Sequence, residues 1–166
     1  MGLLSPWPWP VRVLTCGGLR VEVDGTEGMA GRKAAKRLLQ LLGALVMAGG
    51  HGEEPLALVD KVWPAANEAQ GLQSLHTALH RLRQLLGHPE AVTTRAGRIG
   101  LNRALCWVDA WALEALSKAP ADTRKRALPQ LRKLDTGPVQ LYDDSIDAVT
   151  YAAHVERLRE SVLEER

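Results

Sequence analysis

No run of about 20 consecutive apolar residues occurs in the chain, so the sequence offers no helix suited to crossing a bilayer. The start lacks the uninterrupted apolar stretch of a secretion signal, because Pro6, Pro8 and Pro10 break it. Cysteine is scarce. Cys16 and Cys106 lie far apart with no partners at metal-ligand spacing, which predicts reduced, half-buried thiols in a cytoplasmic protein. A glycine-rich phosphate loop is missing, and neither Ser74 nor the two cysteines has a base beside it in sequence. His76 and His80 have the i, i+4 spacing of a zinc-binding helix. Thr77 stands where a metalloprotease places its glutamate, however, and no third ligand is evident. These absences predict a protein that is not an enzyme, with no cofactor and no metal.

What is present suits a globular chain: 166 residues, 46% hydrophobic, enough for one core with or without an appendage. The net charge of +2 conceals an uneven division. Residues 1–30 hold two Lys/Arg against three Asp/Glu, residues 31–103 ten against five, and residues 104–166 nine against eleven. The middle is the basic part, as expected of a surface that meets an anionic partner.

The stretch around which the chain is organised is QGLQSLHTALHRLRQLLG, Gln70 to Gly87. Leu72, Leu75, Leu79, Leu82 and Leu86 step by three or four residues, which predicts one buried helical stripe. Gln73, Ser74, Thr77, His80, Arg81 and Gln84 fall outside it, with no Asp or Glu among them. Asn67 is the expected N-cap, Gly87 the left-handed C-cap, and Pro89 blocks continuation.

The neighbours give this helix a context. Residues 1–10 read as a linker or cloning remnant. Val11–Leu14 and Leu19–Val23 predict short strands, with Asp24-Gly25 as a turn. Gly31–Ala48 predicts a broadly apolar helix with Arg32, Lys33, Lys36 and Arg37 toward its start. Pro55–Trp63 predicts a second, short helix ended by Pro64. Ala91–Thr94 and Ile99–Leu101 then predict a hairpin with Arg95 and Arg98 at its tip. A short helix, a turn, a longer helix with a polar face and a hairpin make a helix-turn-helix with a wing. Beyond it, Asp109–Ala119, Asp122–Leu134 (interrupted at Pro129) and Tyr151–Glu165 predict helices, and Thr136–Asp147 a loop.

Several runs carry a family likeness: Val11-Arg12-Val13-Leu14 with Gly17-Gly18-Leu19, the leucine-rich helix from Lys33, Asp60-Lys61-Val62-Trp63-Pro64, and Leu79 to Gly87. With these, residues 11–103 resemble the winged-helix DNA-binding domain of the OmpR/PhoB class, most closely as it occurs in Streptomyces antibiotic regulatory proteins. Trp107-Val108-Asp109 and the run through Leu158-Arg159 look like landmarks of the bacterial transcriptional activator domain. The resemblance implies an α+β fold with an N-terminal antiparallel sheet, three helices and a C-terminal hairpin, and a small helical appendage over 104–166. It further implies an effector domain of a bacterial transcription regulator that reads double-stranded DNA. The helix over 69–87 would enter the major groove and the wing over 92–101 would meet the minor groove.

The residues expected at DNA are Gln73, Ser74, Thr77, His80, Arg81 and Arg83 on the helix and Arg95 and Arg98 on the wing. Chemistry assigns Arg81 to guanine, Gln73 to adenine, Thr77 to a thymine methyl and Arg83 to phosphate. The family often carries a base near Gln73 and a tyrosine where Gly100 stands, so this chain departs from it at two positions. The loop over 64–68 matches the one that contacts RNA polymerase in relatives, and other domains of a larger regulator are expected partners. The competing expectation is a protein-interaction or dimerisation module, suggested by five tryptophans and an acidic C-terminal third.

Overall fold

A computed structural model describes residues 9–30, 36–141 and 143–164. Strand β1 (Val11–Leu14) pairs antiparallel with β2 (Arg20–Val23), and β2 with β3 (Thr26–Ala30). Val11, Val13 and Leu14 are buried, while Arg12 alternates outward to meet Glu22 directly opposite it at 2.6 Å. Asp24 and Gly25 link β2 to β3 with φ of 49° and 85°, the left-handed pair that a two-residue hairpin turn requires.

Helix α1 (Lys36–Ala48) is the centre of the core, with Leu38, Leu39, Leu41, Leu42 and Leu45 all buried. The expected start at Gly31, with Arg32 and Lys33, lies outside the described residues. Gly49 ends the helix with φ of 66°. Pro55 opens α2 (Pro55–Val62), where its missing N–H costs nothing. In α3 (Glu68–Leu86), Asn67 Oδ1 accepts from Gln70 N at 2.9 Å and Gly87 closes the helix at φ 70°, as its sequence predicts.

The buried stripe of α3 is shorter than expected. Leu75, Leu79, Leu82 and Leu86 are buried, but Leu72 is 36% exposed. Gly71 takes the inward position instead, and a Cβ there would collide with Val59 Cγ1. The two helices approach too closely at that level for a leucine.

After α3, β4 (Val92–Arg95) and β5 (Arg98–Leu101) form the hairpin, one residue displaced from its expected bounds, with Ala96 and Gly97 at φ 51° and 76° in the turn. Glu53 bonds to Ile99 in both directions at 2.8 Å, which anchors the hairpin to the segment before α2.

Strand β6 (Cys106–Val108) runs parallel to β1, giving the sheet order β3-β2-β1-β6. The stretch expected to open a helical appendage thus supplies an edge of the N-terminal sheet. Helices α4 (Asp109–Ser117), α5 (Ala121–Leu134) and α6 (Ile146–Leu163) follow. α5 is unbroken at Pro129, which sits on the exposed face where water can satisfy the carbonyl that proline leaves unpaired. α6 starts five residues before the expected Tyr151, because Ser145 Oγ accepts from Ala148 N at 3.2 Å and Asp147 suits the first turn.

The chain is an α+β protein, with six helices and two small sheets among the described residues.

Candidate nucleic-acid interface

Packing of Leu75, Ala78, Leu79, Leu82 and Leu86 fixes the roll of α3 and turns Gln73, His76, Thr77, His80, Arg81 and Gln84 to solvent. Gln73, Ser74, Thr77 and Arg81 converge on one open groove, which Arg37, Leu38, Trp63 and Ala78 complete. The groove therefore joins α1, the end of α2 and the first half of α3. It holds amide, hydroxyl and guanidinium groups and no carboxylate.

Its floor is braced by Arg37, whose Nη1 donates to Val62 O at 2.5 Å and to Gln40 Oε1 at 3.2 Å. A cation at the carbonyl end of α2 is favourable, and it holds α1 to α2 beside the groove. The sequence places Arg37 only toward a helix start and Trp63 only at the end of the short second helix. Trp63 is in fact half-buried, and its position just before Pro64, at the turn between the helices, is the signal that could have placed it in the groove.

Other expected contact residues also bond within the chain. Arg83 is half-buried, and its Nε donates to Val92 O at 3.1 Å, tying α3 to β4. Arg98 donates Nε to His51 O and Nη2 to Gly52 O, both at 3.1 Å, and lies 3.7 Å and 3.6 Å from the carboxylates of Glu53 and Glu54. These contacts bend Arg98 back onto the segment before α2. Arg95, opposite it in the hairpin register, remains exposed, as does His80 on α3. Glu68 and Glu90 are exposed near the two ends of the interface elements.

The same corner explains Gly100. A Cβ at Gly100 would stand 3.1 Å from Gly52 Cα, and one at Gly52 would stand 2.6 Å from Ile99 O. The two backbones cross there, so an aromatic side chain has no room. Burial works to raise the Glu53 carboxyl pKa, but the Glu54 N–H, the Lys61 ammonium at 3.2 Å and Arg98 together outweigh it and hold the group below the usual carboxylate range.

A second polar cluster lies at the junction of β1 and α4. The buried Asp109 carboxylate accepts from Thr15 N at 3.0 and 2.9 Å, Thr15 Oγ1 at 2.7 Å, Cys16 N at 3.0 Å and Ala110 N at 2.7 Å. The sequence places Asp109 only at the start of a helix. Burial, with Asp109 alongside, pushes the Cys16 thiol far up, and burial raises Cys106 to about 12, so both free thiols are poor nucleophiles at neutral pH.

Among the described residues no three His, Cys, Asp or Glu side chains group as metal ligands, and no helix is long and apolar enough to cross a membrane. In comparison with known proteins, no family model and no curated protein sequence matches this chain. What the geometry defines is a class: an α+β protein with a polar, carboxylate-free groove on an exposed helix face and a hairpin latched beside it.

Proposed function

We propose that the chain is a winged helix-turn-helix that binds double-stranded DNA, as the effector region of a bacterial transcription regulator in the cytoplasm. The observation that carries the reading is the groove of Gln73, Ser74, Thr77 and Arg81, a mixed donor and acceptor face without a carboxylate on a helix whose inner side is fully packed. Arg81 reads guanine bidentately, Gln73 reads adenine, and Thr77 meets a thymine methyl. His80 and Arg95 contribute at the edges, Arg95 toward phosphate or the minor groove. Arg83 and Arg98 act through the scaffold, one holding α3 to the hairpin and the other holding the hairpin to α2. The turn over 64–68 is the surface offered to RNA polymerase.

A protein-binding role for the same helix has one specific observation in its favour: Leu72 and Leu85 are exposed on α3. Fluorescence anisotropy with mixed-sequence duplex DNA across a salt series decides. The DNA reading expects log K to fall with log salt by about 0.9 per phosphate neutralised, with Arg95→Ala flattening the slope. It expects Arg81→Ala to relax base preference by about 1–3 kcal/mol at one position. Absence of binding even at low salt overturns it in favour of the protein partner.

A further inference from the structure

Two surfaces of the C-terminal third lack an internal partner, and they complement each other. The charges of residues 104–166 are sorted: α5 carries five Lys/Arg against Asp122, and the rest of the stretch carries four against ten. At 100° per residue, Lys125, Pro129, Lys133 and Arg126 fall within about 100° of arc on α5, opposite the buried Leu128 and Leu131. All four are exposed. Among the described residues Lys125, Arg126 and Lys133 enter no ion pair, and two acids of the neighbouring helices and loop are held elsewhere. Asp135 is held by Arg159 at 2.7 and 2.9 Å, and Glu114 by Lys118 and His154. Lys125 and Arg126 oppose the dipole near the start of the helix, whereas Lys133 suits its last turn.

The second surface begins α6. Ile146 is 84% exposed and Val149 56%, more than any other large apolar side chain described. Asp144 and Asp147 flank them, exposed and without an ion pair among the described residues. The two surfaces sit at opposite ends of α6. Arg132 Nη2 donates to Leu163 O at 3.0 Å and Arg124 lines a groove with Ser161 and Val162, so α5 lies by the C-terminal end, about 25 Å along the helix from Ile146. One copy cannot fold one surface onto the other.

We infer that the chain associates head to tail with a second copy of itself, the α5 ridge of one copy seating on the Asp144–Val149 face of the next. Ile146 and Val149 pack on Pro129 and the aliphatic stems of Lys125 and Lys133, whose ammonium heads reach Asp144 and Asp147. A nucleic-acid backbone would occupy the ridge but leave Ile146 and Val149 in water, whereas a second copy covers both. The contact is heterologous, so it extends with concentration unless a ring closes. It is independent of what α3 binds.

Sedimentation velocity over a concentration series tests this. The expected result is a weight-average mass that rises with concentration and rises less in high salt. Lys125→Glu/Arg126→Glu/Lys133→Glu and Asp144→Lys/Asp147→Lys are each expected to stay monomeric, while their equimolar mixture associates, because each then supplies the sign that the other lacks. Ile146→Ser, with charge unchanged, moves the association about ten-fold higher in concentration. All these side chains are exposed, and matching melting temperatures check that the variants fold; should the triple variant not fold, Ile146→Ser and the Asp pair decide. A parent chain monomeric throughout overturns the inference, as does a mixture that stays monomeric. So does a ridge variant that loses DNA affinity while the parent shows no self-association, since the ridge then serves a polyanion.

Discussion

The β1–α4 junction and the outer face of α3 are both polar, yet they treat hydrogen-bonding groups in opposite ways. At the junction one buried carboxylate is saturated by Thr15, Cys16 and Ala110, and nothing is left over for a ligand. On α3, Gln73, Thr77, His80 and Arg81 stand in solvent on a helix whose packed side is wholly apolar. Polar groups spent inside hold the scaffold, and polar groups left outside are available to a partner. Arg98 and Arg81 repeat the lesson in miniature, one guanidinium committed to two main-chain carbonyls and the other open to the groove.

The largest expected effect strikes the saturated side. Asp109→Ala strands four buried donors and should cost about 3 kcal/mol or more, measured by urea unfolding. A loss under about 1 kcal/mol would mean that water replaces the carboxylate and that the junction is not closed. Gly52→Ala comes next, because φ of 69° and the Ile99 carbonyl leave no place for a methyl; about 1–3 kcal/mol should be lost. The two arginines then divide. Arg98→Ala should lower stability by about 1 kcal/mol, reduced by its partial exposure, whereas Arg81→Ala should leave the unfolding midpoint unchanged and alter only binding. Equal destabilisation by both changes would erase the distinction.

The smallest effect concerns pH. The His154 hydrogen bond at 2.9 Å, with Lys118 assisting, holds the Glu114 carboxyl below its usual range against the pull of burial. A carboxylate lowered on folding stabilises above its unfolded value and loses that contribution as pH falls through the folded one. Glu114→Gln should therefore flatten part of the acid limb of the stability curve, tracked by melting temperature, and leave neutral stability nearly intact because the pair is exposed.

Local chemistry made some elements legible in the sequence. Asn67 and Gly87 bound α3 by their own side-chain and backbone properties, and Asp24-Gly25 and Ala96-Gly97 form turns that depend on two residues each. Legibility failed where the deciding contact lies far along the chain. Nothing in Cys106-Trp107-Val108 announces that its partner is Val11–Val13, and Leu72 loses its place in the core only because Gly71 meets Val59. The missed start of α6 was local, a serine cap followed by Asp147, hidden within a stretch whose Asp and Gly content reads as loop. The candidate site divides in the same manner. The α3 residues follow from helical periodicity, but the retraction of Arg98 depends on the carbonyls of His51 and Gly52, 47 and 46 positions away.

The parallel pairing of β1 with β6 has a consequence for the order in which the fold can be completed. Val11 and Cys106 are partners across 95 positions, so one edge of the sheet stays open until the later strand has been made. At a synthesis rate of about 5–20 residues per second that interval is on the order of 5–20 s on the ribosome. Throughout it, the N–H and C=O groups of Val11–Val13 that β6 will cover remain a template for any neighbouring extended chain. A fragment ended at residue 103 would make that transient state permanent. Its expected fate is aggregation through the β1 edge, and restoring residues 104–117 supplies both the missing strand and the carboxylate that fastens it.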